Sequence, residues 1–193
     1  MDNFILYFKM GLQHVLDFSA YDHILFLIVL TVVFNFDQWK KVLWLVSLFT
    51  IGHSVSLALS AFGVVNISSK LIEFLIPVTI LLTGLMNVFT ANKSSSGKEN
   101  TNLIFALFFG LIHGLAFSSY FKMMVGSEED KLFPLIEFAL GIEAAQIFIV
   151  LGVLIVGLLL QVFTRITKRD WVLVSSSIVI GFSLQMMLTR VFW

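Results

Sequence analysis

Apolar residues fall into six long runs, at 18–36, 39–62, 69–90, 103–120, 133–163 and 171–192, separated by short polar turns at 37–41, 63–70, 91–102, 122–131 and 164–170. Each run is close to the roughly 20 residues a helix needs to cross a hydrocarbon core about 30 Å thick. The pattern therefore predicts an all-α bundle of six transmembrane helices. Residues 4–17 are too polar to span, yet they carry Phe4, Ile5, Phe8, Leu12, Val15 and Leu16. A short N-terminal interfacial or re-entrant helix packed on the bundle fits them. Gly110 with Gly114, and Gly141 with Ala145, place small residues one turn apart, where helices in lipid can approach closely. Pro77 is expected to kink the third span.

Composition agrees with this reading: 59% of the residues are hydrophobic and only 12% charged, against about half and a quarter in a soluble domain. The solvent for such a surface is lipid, so residues 1–193 read as one transmembrane domain whose main partner is the bilayer. Lys plus Arg and Asp plus Glu each number 12, and no polybasic arm is present, which argues against a nucleic-acid partner. With no cysteine, a metal would have to be held by nitrogen and oxygen. The opening segment lacks a basic start and a small-residue cleavage site, so it is read as mature protein. Turns one, three and five contain Lys40, Lys41, Lys93, Lys98, Arg165, Lys168 and Arg169, whereas Lys9, Lys70, Lys122, Lys131, Arg190 and the acidic run Glu128, Glu129 and Asp130 fall on the other side. The excess of basic residues predicts both termini outside, in a bacterial inner membrane.

Against this background the polar residues within the runs stand out, since an ionisable group in a span costs several kcal/mol unless it pairs or faces a cavity. His14 lies in the N-terminal helix, His23 in the first span, His53 in the second and His113 in the fourth. Asp22, Glu73 and Glu143 accompany them, with Gln146 one turn beyond Glu143. At about 1.5 Å per residue, the span histidines fall roughly 15 to 20 Å above the inner boundary. Glu143 lies at a similar level. Such agreement in depth between separate helices points to one pocket in the outer half. Imidazole with carboxylate suits zinc, nickel, cobalt or iron, and the candidate ligands are His14, Asp22, His23, His53, His113 and Glu143. Asp22 and His23 diverge by about 100° on a helix, so one is a ligand and the other an orienting partner. Ser54, Glu73 and Gln146 are candidates for a surrounding layer, while Thr50 and Ser118 read as structural hydroxyls.

Five blocks, GLQHVLDFSAYDHILFL at 11–27, FTIGHSVSLAL at 49–59, LIEFLIPVTI at 71–80, FGLIHGLAF at 109–117 and FALGIEAAQ at 138–146, resemble the HupE/UreJ membrane proteins, in the same order and over nearly the whole chain. The resemblance implies a six-span protein of nickel or cobalt handling, in the settings of hydrogenase and urease maturation. It also implies a permease that admits a divalent metal by facilitated diffusion, with the family's histidine and acidic motifs falling on His14, Asp22, His23, His53, His113 and Glu143. The chain has seven residues between His14 and Asp22 where HupE permeases have five.

Three readings follow. The first is a divalent-metal permease. The second is a membrane-embedded zinc hydrolase acting on a lipid or peptide, in which three histidines hold the ion and Glu143 or Asp22 is the general base. The third is a bis-histidine haem protein using His53 and His113. Oligomeric state is left open.

Overall fold

The computed structural model describes residues 2–92, 99–126 and 131–191, and every regular element in them is helical. The expected turn residues Lys93 and Lys98, the acidic run Glu128, Glu129 and Asp130, and the end of the last run at Phe192 lie outside the described residues. The helices are α1 (Asp2–Leu16), α2 (Asp22–Thr31), α3 (Trp39–Ala61), α4 (Ser69–Thr90), α5 (Glu99–Val125), α6 (Leu132–Phe163) and α7 (Lys168–Thr189). Helices α3 to α7 contain the five segments long and apolar enough to cross a membrane. Apolar side chains such as Trp44, Phe89, Phe108, Phe148 and Phe163 cover the outside of the bundle, as lipid requires and water would not. Pro77 lies inside α4 without interrupting it.

The first run departs from expectation. Instead of a full span, residues 18–36 hold a 3-10 turn at Phe18–Ala20 and the ten-residue α2, and a second 3-10 turn follows at Phe36–Gln38. Ten residues rise only about 15 Å, half a hydrocarbon core. Hydropathy alone does not reveal this, because the 3-10 turns that flank the helix are set by local polar hydrogen bonds inside an apolar run. Asp17 accepts a hydrogen bond from Ser19 N at 2.8 Å before α2. After it, Gln38 Oε1 accepts from Asn35 N at 3.0 Å.

A short helix at this depth leaves carbonyls that lipid cannot satisfy, and the structure meets that need from α7. Lys168 Nζ, at the start of α7, donates to the carbonyls of Val32 and Phe34 just past the end of α2. Arg190 Nη1, just past the end of α7, donates to Asp22 Oδ2 at the start of α2. Helix α7 is about 33 Å long, and the path from Asp22 to Phe34 rises about 18 Å. The two long cationic side chains reach inward over the difference. Asp22, His23, Leu25, Phe26, Leu27, Val29, Leu30 and Thr31 are buried, so α2 is a central post surrounded by the longer helices.

Two helix pairs approach to backbone contact. A Cβ added to Gly110 would lie 2.3 Å from Phe49 O, and one on Gly114 would lie 2.1 Å from His53 O. On α3, a Cβ at Gly52 would lie 2.3 Å from Leu107 O. Helices α3 and α5 thus run side by side with nothing but hydrogen between their backbones. In the same way Gly11 of α1 faces Phe138 O and Gly141 of α6 faces Phe8 O. The first contact aligns His53 with His113, and the second brings the end of α1 into the bundle with His14.

Candidate metal centre

His14 comes from the last turn of α1, His23 from the first turn of α2 and His53 from the middle of α3. Each offers a ligand atom such that the three atoms all lie within 4.8 Å of one another. Two nitrogens on one tetrahedral ion stand about 3.3 Å apart, given metal–nitrogen bonds of about 2.0–2.1 Å. Side-chain shifts of about 1 Å therefore bring these rings to coordination distance. Ring centroids are 4.6 Å apart for His14 and His23, 5.9 Å for His14 and His53, and 6.2 Å for His23 and His53. His113, on α5, joins from the other side of His23 at 5.4 Å.

The chemistry of the donors is that of an open ligand set. Both nitrogens of His23 and His53, Nε2 of His14 and Nδ1 of His113 are buried without a hydrogen-bond partner. An unmade hydrogen bond on a buried polar atom costs about 1–3 kcal/mol, and several such costs in one pocket are offset when the nitrogens ligate a cation. The surroundings keep water out: the His14 ring lies 4.0 Å from that of Phe117, which stacks on Phe138 at 4.9 Å. His53 and His113 are almost wholly inaccessible.

Asp22 is placed to orient. Its Oδ1 lies 3.0 Å from His23 Nδ1. The same oxygen accepts from the His23 backbone N at 2.9 Å, and Oδ2 is held by Arg190. Nε2 of His23 is buried without a hydrogen-bond partner. Thr79 Oγ1 stands 3.3 Å from His113 Nε2 and donates to Ile76 O. Arg190 was read from the sequence only as a basic residue setting orientation, and Thr79 was not singled out. The sole signals were a basic residue at the end of an apolar run and a hydroxyl beside a helical proline.

The other candidates lie elsewhere. Glu143 stands apart from the imidazoles: its Oε1 accepts from Ser47 Oγ across the α3–α6 contact. Gln146 is fully buried and its Oε1 pairs with Thr50 Oγ1 at 2.9 Å. Ser54 is half-buried on α3, and Glu73 is exposed near the start of α4. His113 packs against both Phe26 and Phe49, with centroids at 5.1 and 5.3 Å. At the opposite end of α2 lies a cavity of about 370 Å³ lined by Thr31, Asn35, Asp37, Gln161 and Trp171 among others.

Fold and site define a helical membrane protein with a buried, water-excluding histidine cluster contributed by separate helices. The chain belongs to the HupE / UreJ protein family, whose model matches residues 1–191. No curated protein and no solved structure matches it.

Proposed function

We propose that this protein is a divalent-metal permease of nickel, cobalt or zinc type, and that His14, His23 and His53 receive the ion. The observation that carries the reading is the convergence of three imidazoles, with nitrogens lacking other partners, from three separate helices into one buried pocket. The family's association with nickel and cobalt supports metal as the cargo.

In this reading the ion exchanges its water for neutral imidazole nitrogen, a ligand suited to borderline divalent cations and a poor one for magnesium. Asp22 lends negative charge and holds the His23 ring, and Arg190 keeps that carboxylate from closing on the ion itself. His113, touching His23 and bonded to Thr79, offers a fourth nitrogen next to the triad. The cavity at the other end of α2, lined by Thr31, Asn35, Asp37 and Gln161 among apolar side chains, is the opening this reading uses on the opposite side.

The placement is a bacterial inner membrane, crossed six times with both termini outside. Support for the sixth crossing comes from α2, because the bonds to Arg190 and Lys168 tie its two ends to opposite ends of α7. Lys40 and Lys41 at the start of α3, Arg165 in the α6–α7 turn, and Lys168 and Arg169 at the start of α7 lie at the end remote from the histidines, which favours that end as cytoplasmic. The hydrolase reading draws less support, since both carboxylates considered as general base are engaged, Asp22 by Arg190 and Glu143 by Ser47.

The test is uptake of Ni²⁺ or Co²⁺ into proteoliposomes containing a metal-sensitive dye. Saturable uptake that disappears in His53→Ala is the expected result. Equal rates in wild-type, His53→Ala and empty vesicles would rule the permease out.

A further inference from the structure

We infer that Phe117 is the lid of the histidine pocket, the side chain that moves aside to admit an ion from the α5–α6 end of the bundle, and that His14 is the first imidazole the ion meets. The inference deepens the permease reading and rests on it for the identity of what enters.

The histidines are enclosed between two groups of phenylalanine. On one side Phe26 and Phe49, with ring centroids 4.9 Å apart, pack on His113, and Phe49 also faces His53 at 6.3 Å. Both are completely buried, so that wall is fixed by the close-packed core around it. On the other side Phe117 of α5 stacks on Phe138 of α6 with the ring planes 11° apart, and the two rings lie against His14 at 4.0 and 5.8 Å. Phe138 is completely buried and is backed by Phe121 at 5.7 Å. Phe117, by contrast, is only half-buried. Of the phenylalanines that touch Phe117's side of the pocket or the opposite wall, it is the one that both contacts an imidazole and reaches the surface.

Position along the helices gives the direction of opening. Phe117 is one turn beyond His113 on α5, and Phe138 is in the second turn of α6, so both lie between the imidazoles and the α5–α6 turn. About one turn further toward that end is Tyr120, 4.9 Å from Phe117 and 48% exposed. His14 is half-buried and its neighbours Gln13 and Asp17 are exposed, whereas His23, His53 and His113 are buried. A Phe117 ring that swings toward Tyr120 therefore uncovers His14 before the other imidazoles. The swing breaks the stack on Phe138, and such a pair shifts an equilibrium by a factor of roughly two to ten. An open state therefore stays accessible while the closed one dominates.

The experiment measures the reactivity of each histidine toward diethyl pyrocarbonate, which acylates an accessible neutral imidazole nitrogen, by peptide mass mapping of the metal-free full-length protein in detergent. The rate of Co²⁺ association is followed in parallel by stopped flow. Phe117→Ala is expected to raise the His14 reaction rate and the Co²⁺ association rate each by about tenfold, with the number of bound ions unchanged. Phe117→Leu, which keeps an apolar side chain in place of the ring and disturbs the fold less, should raise both by about threefold. Phe148→Ala, at a 74% exposed position on α6, should change neither. His113, behind Phe26 and Phe49, should stay unreactive in every variant. Unchanged His14 reactivity in both Phe117 variants, an equal gain at His113 that signals a loosened bundle, or an unchanged association rate in protein that binds Co²⁺ would each overturn the lid. A gain at His14 without one at His113, in protein that binds no Co²⁺, would instead sink the permease reading and leave Phe117 as the lid of a pocket with another occupant.

Discussion

Arg190 Nη1 stands 3.1 Å from Asp22 Oδ2, while Oδ1 of the same carboxylate stands 3.0 Å from Nδ1 of His23. A residue at the end of the last helix thus reaches, through one acid, a ring in the histidine cluster. Partners that orient a ligating histidine typically contribute 10–100-fold in metal affinity. Asp22→Asn, which keeps shape and loses charge, is expected to weaken Co²⁺ binding by about that factor with little change in helical content. An unchanged dissociation constant in a titration would show that Asp22 does not position the ring.

Direct ligands should matter more than their supports. His14→Ala, His23→Ala and His53→Ala are each expected to reduce Co²⁺ affinity by more than about 100-fold, since a three-nitrogen site becomes a two-nitrogen one. His113→Ala, outside the group of three, should cost less. Equal losses at all four positions would make the site a four-histidine centre.

The α3–α5 contact yields a prediction with an internal control. Ala at Gly110 places a methyl 2.3 Å from Phe49 O, closer than real contacts allow. The helices must separate, which costs about 1–3 kcal/mol and moves His53 relative to His113. Gly152→Ala on α6 meets nothing within 4 Å and should be neutral or slightly stabilising. Thermal unfolding of the two variants in detergent checks the difference; equal midpoints would refute the close approach.

Lys168→Met removes the donor to the carbonyls of Val32 and Phe34. Hydrogen bonds from a charged group contribute about 1.5–3 kcal/mol, less at this part-buried position. The expected loss is about 1–2 kcal/mol, concentrated at the end of α2. Hydrogen exchange should quicken in residues 29–38 and stay unchanged in α5, whereas a uniform change would indicate global loosening instead.

Much of this was legible along the chain. Helices α3, α4 and α6 begin and end within a residue or two of the apolar runs, because a long apolar stretch with polar flanks has one inexpensive conformation in lipid. His23 and His53 were legible as companions because position in a span gives an expected depth, whereas His14, in the N-terminal helix, was legible only as one more histidine beside the apolar runs. Glu143 was legible only as a polar residue within an apolar run. It bonds to Ser47, since the direction in which a helix turns a given side chain depends on its rotation against its neighbours.

The order of residues by itself determined that this is a helical membrane protein, because that follows from hydropathy and helix length, and it pointed to the imidazoles as one group. Tertiary structure alone decided that α2 stops after ten residues, that Lys168 and Arg190 hold its two ends, and that three imidazoles converge while Glu143 and Gln146 line a different seam. Those outcomes depend on how helices rotate and pack against one another. That packing is settled by contacts such as Gly110 on Phe49 and Gly141 on Phe8, between residues far apart in the chain.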